Sequence, residues 1–214
     1  MAKIRVLLVE DHTVVRQGLR RILEIDPQIE IVGEVGDGRA ALDIVRRLRP
    51  TVAIVDISLP NLNGIEVTRH LAKASPETKV LILSMHTDDG YVRQSLKAGA
   101  RGYLLKDADD QDLIKAVTAL SAGGSYFSPA VSKILLEGYL QEEHEPNDEL
   151  GVLSDREREV LQLIADGKSN KEVAQILDVA VSTVDSHRKH IMEKLDLHNT
   201  AAMVRFALRT GLIQ

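Results

Sequence analysis

Short apolar runs alternate with segments of helical spacing over the first 125 residues, and no other pattern in the chain restricts the fold as strongly. The runs are almost continuously Val, Ile and Leu, which is typical of strands buried on both faces. Between them, apolar residues such as Val15, Leu19 and Ile22 recur every three or four positions. We therefore predict a doubly wound α/β domain with a five-stranded parallel sheet covered by helices on both sides. The predicted strands are 4–9, 29–35, 52–57, 80–84 and 102–105.

The sequence after residue 150 shows helix signals and no strand pattern. Ser154 and Glu157 have the spacing of a capping box, and Ser169 and Glu172 repeat it. Apolar residues follow each box at helical spacing, and a fourth helix is predicted to begin near Asn199. We expect a small, all-α domain of four helices.

An acidic segment, QEEHEPNDE at 141–149, separates the two patterns. It holds five acidic residues and no lysine or arginine, which favours an exposed linker over a functional acidic tail because structured sequence resumes after it. The predicted division is an α/β domain at 1–124, a linker at 125–149 that starts helical and becomes acidic, and a helical domain at 150–214.

The net charge of −5 is not shared evenly along the chain. Residues 1–150 hold 18 basic and 23 acidic side chains, whereas residues 151–214 hold nine of each. An acidic chain does not bind polyanions over its whole surface, but a local nucleic-acid face is compatible with these numbers.

Cysteine is absent, which excludes disulfides, thiolate metal sites and thiol nucleophiles. No apolar run approaches the roughly 18 residues of a membrane helix, and the N-terminus has no signal-peptide pattern. We expect a cytoplasmic protein with no membrane partner.

Polar residues follow the predicted strands at the edge where open parallel sheets bind ligands. Glu10 and Asp11 follow the first strand, Asp56 ends the third, Ser84 ends the fourth and Lys106 follows the fifth. Three carboxylates close together require a cation, and oxygen ligands with retained water favour Mg²⁺. A lysine and a hydroxyl beside that metal are groups that a phosphoryl anion needs.

These residues lie in segments that resemble the receiver domain of bacterial two-component response regulators, which has a flavodoxin-like fold. The resemblance covers about residues 3–124. The segments are VLLVEDH (6–12), VAIVDISLPNLNG (52–64), LILSMH (81–86) and GARGYLLKD (99–107).

The resemblance implies that Asp56 accepts a phosphoryl group from a sensor histidine kinase. It also implies roles for the residues around Asp56, which form two groups. The implied Mg²⁺ ligands are Glu10, Asp11, Asp56 and the backbone carbonyl of Ile57. The implied phosphoryl-binding and switch residues are Ser84, Lys106 and Tyr103.

The helical domain resembles the DNA-binding domain of LuxR-type regulators over about residues 150–214. The matching segment is LSDREREVLQLIADGKSNKEVAQILDVAVSTVDSHRKHIMEKL. Together with the first domain it resembles the NarL/FixJ class of response regulators, which implies a homodimer on double-stranded DNA. The recognition helix of the helix-turn-helix motif would be about Ser182–Leu195.

Residues of the recognition helix divide by their expected contacts. Asp185, Ser186 and Lys189 are expected to face the bases, and Val184, Ile191 and Leu195 the core. Three roles stay open for Asp185: accepting a hydrogen bond from cytosine N4, repelling phosphate, or pairing with Arg188. The expected phosphate contacts are Ser169, Lys171, Thr183, His187, Arg188 and His190.

The last helix is a candidate dimer face through Thr200, Met203, Val204 and Ala207. Because the helical domain carries no net charge, one copy is expected to bind DNA weakly. Two copies on paired half-sites would bind better.

The predicted function is a phosphorylation-controlled, DNA-binding transcription regulator with at most Mg²⁺-dependent self-phosphorylation and self-dephosphorylation at Asp56. One alternative is an aspartyl-phosphate phosphatase or phosphotransferase, but Ser58 stands where a second acid would protonate a leaving group. Another is a DNA-binding protein whose first domain is only a docking module. The complete acidic set argues against that alternative.

Overall fold

A computed structural model describes residues 3–140 and 149–213. The chain divides into two compact units, Met1–Gln141 and Glu142–Gln214. Apart from Glu149, the acidic segment predicted as a linker lies outside the described residues. In the part of the chain that the structure describes, no helix is both long and apolar enough to cross a membrane.

The first unit is built on a parallel sheet with the strand order β2-β1-β3-β4-β5-β6. Each of the five predicted strands is present, with bounds that differ by at most one residue. The sequence prediction missed the sixth strand, because two residues are too short to form a recognisable apolar run. The strands are β1 (Ile4–Val9), β2 (Ile29–Val35), β3 (Val52–Asp56), β4 (Lys79–Ser84), β5 (Gly102–Leu105) and β6 (Tyr126–Phe127).

Helices cover both faces of this sheet, as the continuous apolar strands predicted. They are α1 (Thr13–Leu23), α2 (Gly38–Leu48), α3 (Gly64–Ala74), α4 (Asp89–Ala98), α5 (Asp110–Ser121) and α6 (Pro129–Leu140). Alternate strand residues enter two separate cores: Leu7 and Val9 pack with α2, α3, α4 and α6, while Val6 and Leu8 pack with α1 and α5. The polar carboxyl edge of the sheet is therefore held by two apolar layers.

The segment after α5 returns to the sheet. Tyr126 and Phe127 pair with β5, and the Ser128 amide donates to the carbonyl of Tyr103 over 3.1 Å. Val131 of α6 is fully buried in the same core as Tyr103. The described part of 125–140 thus continues the packing of the first unit, while the proposed boundaries at 124 and 149 stay predictions.

The second unit is all-helical, as predicted. Its helices are α7 (Asp155–Ala165), α8 (Asn170–Leu177), α9 (Val181–Lys194) and α10 (Thr200–Arg209). Both predicted capping boxes are present: Ser154 and Ser169 cap their helices, and Glu157 and Glu172 bond back to the cap amides. Asp178 adopts a left-handed conformation (φ 52°) and ends α8 three residues before α9, which completes the helix-turn-helix.

Glu157 does more than complete a capping box. Its side chain is 5% exposed and its Oε2 lies 2.7 Å from Nζ of Lys194 on α9. Burial alone would raise the pKa of this carboxyl, but bonds from Lys194 and Ser154 outweigh burial and lower the pKa from 4.5 to about 2. Glu157 therefore ties the start of α7 to the end of α9 as a carboxylate.

Replacing Glu157 by glutamine should destabilise the second unit by about 2 kcal/mol at neutral pH. Because the folded pKa is depressed, the wild-type advantage should be complete above pH 4.5 and be lost as pH falls through about 2. Native-state hydrogen exchange of amides in α7 and α9 measures the difference. A difference that persisted at pH below 2, or was absent at pH 7, would contradict this account. Glu193→Gln, on the exposed side of α9, is the control.

Candidate functional site

The strand register brings the predicted polar residues to one edge of the sheet. Val9 pairs with Val55, so Glu10 and Asp56 follow at the same level of neighbouring strands. Asp56 in turn pairs with Leu83, the residue before Ser84. The Lys106 amide donates to the Ser84 carbonyl over 2.9 Å, which fixes the start of the loop after β5. The groups predicted at four separate strand ends therefore converge.

The carboxylates of this edge form a compact cluster. Glu10 and Asp56 are buried, with 2% and 3% of their surface exposed, and the Asp11 side chain is partly exposed. Ligand atoms of Glu10, Asp11, His12 and Asp56 all lie within 4.8 Å of one another. Two buried like charges at such distances require a compensating positive charge.

Lys106 supplies part of that compensation. Its Nζ lies 2.8 Å from Oε2 of Glu10 and 2.9 Å from Oδ2 of Asp56. Burial raises the pKa of Asp56, and the nearby ammonium only partly opposes that effect. Burial would lower the pKa of Lys106, but its two carboxylate partners raise it above its usual value. The lysine is thus held as a cation against the acidic cluster.

The donor set fits a hard divalent cation. Glu10 Oε2, Asp11 Oδ1 and Asp56 Oδ2 are buried, and within the described residues they accept no hydrogen bond of good geometry. Each of these oxygens has one close cationic or polar neighbour, Lys106 for Glu10 and Asp56 and His12 for Asp11, and retains a further lone pair. Carboxylate oxygens with free lone pairs are what Mg²⁺ takes as ligands, usually keeping several waters.

The Ile57 carbonyl is a poor candidate for that metal. It accepts hydrogen bonds from the amides of Leu59 (3.0 Å) and Gly64 (2.9 Å), so both of its lone pairs are used inside the protein. We leave Ile57 out of the proposed ligand set. The sequence could not reveal this, because the bond from Gly64 depends on how α3 docks beneath the loop.

His12 is a member of the cluster that the sequence prediction did not assign. Its Nδ1 lies 2.8 Å from Oδ1 of Asp11 and 3.2 Å from Oε1 of Glu10, and its backbone amide donates to the same Glu10 oxygen. Its position directly after two acids at a strand end was the available signal. The side chain is 67% exposed, so it lies at the mouth of the cluster.

Ser84 and Tyr103 are connected through one intervening residue. The His86 amide donates to Ser84 Oγ over 3.1 Å, and the Tyr103 hydroxyl donates to the His86 carbonyl over 2.8 Å. Tyr103 is fully buried, and burial raises its pKa to about 12, so it is a neutral hydroxyl at physiological pH. A displacement of Ser84 would therefore disturb His86 and, through it, the hydrogen bond from the Tyr103 hydroxyl to the His86 carbonyl.

Comparisons with known proteins agree for both units. Residues 6–118 match the family described as "Response regulator receiver domain", and residues 151–207 match "Bacterial regulatory proteins, luxR family". The protein is 36% identical to the transcriptional regulatory protein DegU of Brevibacillus brevis, over 99% of this chain and 96% of that one. It is 38% identical to the oxygen regulatory protein NreC of Staphylococcus carnosus, over 98% and 99% respectively.

The chain belongs to the NarL/FixJ class of response regulators.

Solved structures agree with this assignment. The response regulator RcsB of Salmonella typhimurium matches with a TM-score of 0.61 and 28% identity, covering 98% of this chain and all of that one. The response regulator ChrA of a haem-sensing two-component system matches with a TM-score of 0.55 and 36% identity over the full length of both chains. This response regulator is accordingly a phosphorylation-controlled, DNA-binding transcription regulator.

The DNA-binding domain of this response regulator presents most of the predicted contact residues to solvent. Val184 and Ile191 are fully buried and Leu195 packs against the same core, as predicted for the inner face of α9. Three of the predicted contacts are partly buried: Thr183, His187 and Arg188. The exposed ones are Ser169, Lys171, Asp185, Ser186, Lys189 and His190.

The prediction of a dimer face on the last helix was partly wrong. Met203 and Ala207 are fully buried in the core of the DNA-binding domain and are not available to a second copy. Of the other predicted residues, Thr200 is exposed and Val204 is partly buried, and Leu208, which was not predicted, is 49% exposed. The spacing of apolar residues on a helix does not show whether they face the core of their own domain or a partner subunit. Only the packing of the helix decides between the two.

Proposed function

We propose that Asp56 is the residue of this response regulator that accepts a phosphoryl group from a sensor histidine kinase. The observation that carries this proposal is the placement of the Asp56 carboxylate, buried at a strand end and ion-paired to Lys106 beside Glu10. A carboxylate oxygen of Asp56 would attack the phosphorus of the phosphohistidine. A phosphorus–oxygen bond forms, the phosphorus–nitrogen bond breaks, and the imidazole leaves with a proton.

Glu10, Asp11 and Asp56 would hold Mg²⁺ in this site, with water in the remaining positions. The bound ion supplies neutralisation of phosphoryl charge, which lets an anionic group approach an anionic nucleophile. Lys106 donates to the phosphoryl oxygens in the same region, which requires it to exchange a carboxylate partner for phosphoryl oxygen. His12 is poised at the mouth to position Asp11.

Ser84 and Tyr103 would form the switch. The Ser84 hydroxyl, attracted to the phosphoryl group, would leave the amide of His86 and disturb the carbonyl to which Tyr103 donates. Tyr103 then exchanges one buried arrangement for another, and β6 and α6, which pack beside it, change their position with it. This is a population shift driven by a local change of charge.

The phosphorylated receiver would control dimerisation of the DNA-binding domains. The related RcsB has been solved bound to promoter P1flhDC in the presence of the phosphomimetic BeF₃⁻, which supports this order of events. In our proposal, α9 enters the major groove with its N-terminal turns at the base edges. Access to DNA places the protein in the cytoplasm. Mg²⁺-dependent self-phosphorylation by small donors and self-dephosphorylation at Asp56 would be its only catalysis.

The proposal is tested with the full-length protein, with and without beryllofluoride and Mg²⁺. Binding sites are first selected from a random duplex library, and affinity and mass in solution are then measured on the selected duplex. We expect beryllofluoride to increase DNA affinity at least about tenfold and to shift the protein from monomer to dimer. Equal affinity together with an unchanged mass would contradict phosphoryl control.

Replacing Glu10 by glutamine should weaken Mg²⁺ binding by about tenfold or more, because it removes one of three charged ligands. Calorimetric titration with Mg²⁺, repeated with Mn²⁺ by electron paramagnetic resonance, measures this directly. Glu24→Gln is the matched control, since Glu24, the residue after α1, is half-exposed and, within the described residues, forms an ion pair with Arg20 alone. Equal Mg²⁺ affinity of the Glu10 variant and the wild type would remove Glu10 from the ligand set.

A further inference from the structure

A chain of three hydrogen bonds joins the helices of the DNA-binding domain. Asn170, the first residue of α8, donates through Nδ2 to Oδ1 of Asp185 over 2.6 Å. Arg188 donates through one terminal nitrogen to Oδ1 of Asn170 over 2.7 Å and through the other to the Thr200 hydroxyl over 2.8 Å. The chain thus runs from α9 to α8, back to α9, and on to α10.

Only an amide serves the central place in this chain. Asp185 offers acceptors and Arg188 offers donors. The side-chain amide of Asn170 meets both, because its NH₂ group donates to Asp185 and its oxygen accepts from Arg188. An aspartate at 170 would repel Asp185, and a lysine there would repel Arg188. The two charged residues are thereby held apart by a neutral bridge rather than paired with each other.

The bridge bears on which of the three open roles fits Asp185. Asp185 is exposed, lies on the second turn of α9, and bonds to Asn170 through one carboxylate oxygen. Within the described residues, its second oxygen accepts no hydrogen bond. A direct pair with Arg188 is replaced by the bridge, and a carboxylate whose rotamer is fixed by a neutral donor keeps its full acceptor strength.

The Arg188 guanidinium is likewise engaged in hydrogen bonds within the DNA-binding domain. Two of its three guanidinium nitrogens are engaged by Asn170 and Thr200, and the residue is partly buried. Its role is to tie α9 to α8 and α10, which orients the whole helix. A phosphate contact through Arg188 would use only its remaining donors.

We propose that Asn170 is a positioning residue for base recognition: it fixes Asp185 as an acceptor that selects cytosine, through its N4 amino group, at one position of each half-site. This inference rests on the proposed entry of α9 into the major groove. It assigns to Asn170 a part in sequence selection that does not require Asn170 to touch DNA.

The test is selection of binding sites from a random duplex library by full-length protein activated with beryllofluoride. The wild type should prefer cytosine at one position by about tenfold, and Asp185→Ala should abolish that preference there alone. Asn170→Ala should reduce the same preference at least about threefold. Asn170→Asp, which keeps the bond from Arg188 but repels Asp185, should reduce it at least as much, whereas a merely structural role would leave Asn170→Asp like the wild type.

Gln175→Ala is the matched control, because Gln175 is an exposed amide on the same helix and lies outside the chain of bonds. It should leave every base preference unchanged. An Asn170→Ala protein with wild-type preference at the Asp185-dependent position would overturn the positioning role. If the Asp185→Ala protein kept every base preference of the wild type, base selection by Asp185 and the positioning role of Asn170 would both be overturned, while the proposed function would stand. A wild type that enriched no sequence at all would contradict both this inference and the proposed function.

Discussion

Replacing Asp56 by asparagine is expected to abolish phosphoryl incorporation from acetyl phosphate, by at least on the order of a hundredfold. An amide has nearly the same shape but is not a nucleophile, so the site keeps its packing and loses its chemistry. The gain in DNA affinity on phosphorylation should disappear with it, while the affinity of the unphosphorylated protein stays as in the wild type. Phosphoprotein electrophoresis and titration of the selected duplex measure the two effects.

Asp43→Asn is the control for this variant. Asp43 lies on α2 with 83% of its side chain exposed and, in the part of the chain that the structure describes, pairs with Arg46 alone, so its loss should change neither phosphorylation nor DNA binding. Undiminished phosphorylation of the Asp56 variant would show that another residue accepts the group. A phosphorylation-dependent gain in DNA affinity that survived in the variant would show that the receiver does not act through Asp56.

Replacing Gly64 by alanine should destabilise the receiver by about 3 kcal/mol. A Cβ at Gly64 would lie 2.0 Å from the carbonyl oxygen of Asp56 and 2.8 Å from its carbonyl carbon. Both atoms belong to backbone at the end of β3, so they cannot move without displacing Asp56 itself. Urea unfolding followed by tyrosine fluorescence reports on the receiver, because all four tyrosines precede residue 141.

The matched control is Gly18→Ala. Gly18 lies in the interior of α1, and a Cβ there would meet no atom within 4 Å. The alanine should stabilise the receiver by about 0.5–1 kcal/mol, since it is the better helix former. Opposite signs for the two glycines are thus expected in the same unfolding experiment. A Gly64→Ala protein as stable as the wild type would show that the loop after β3 can move away from α3.

The distribution of charge gives the expected dimerisation a physical reason. The DNA-binding domain carries nine basic and nine acidic residues in 151–214, so a single copy gains little general attraction to DNA. The hydrogen bonds to Asn170 and Thr200 also engage Arg188 in contacts within the protein. In the proposed function, affinity then comes from joining two copies, and this is the step assigned to the receiver.

The polar edge of the receiver sheet could be predicted from the sequence because parallel strands align their ends. Continuous apolar runs located the strands within one residue, and the residue after each run had to lie at the carboxyl edge of the sheet. Glu10, Asp56 and Lys106 were found in this way, and their ion pairs confirm that they meet. The capping boxes at Ser154 and Ser169 were predictable for a similar reason, since they join residues only three apart.

Other features depended on tertiary contacts between distant residues. The Ile57 carbonyl accepts a hydrogen bond from Gly64 at the start of α3, which depends on how α3 docks. The exposed side of α10 follows from how that helix packs on α7. The bridge through Asn170 joins residues 15 and 18 positions apart. Spacing along the chain carries no information on such bonds, because they form only after helices are packed.

The sequence by itself thus determined the class of fold, the edge of the sheet where the polar side chains meet, and the local caps that start the helices. Each of these follows from apolar periodicity or from hydrogen bonds within a few residues. Only the tertiary structure decided which acceptors remain available for a metal, which side of α10 is buried, and how Asp185 is held. Those are properties of side chains competing for the same partners, and the competition is resolved only when separate elements come into contact.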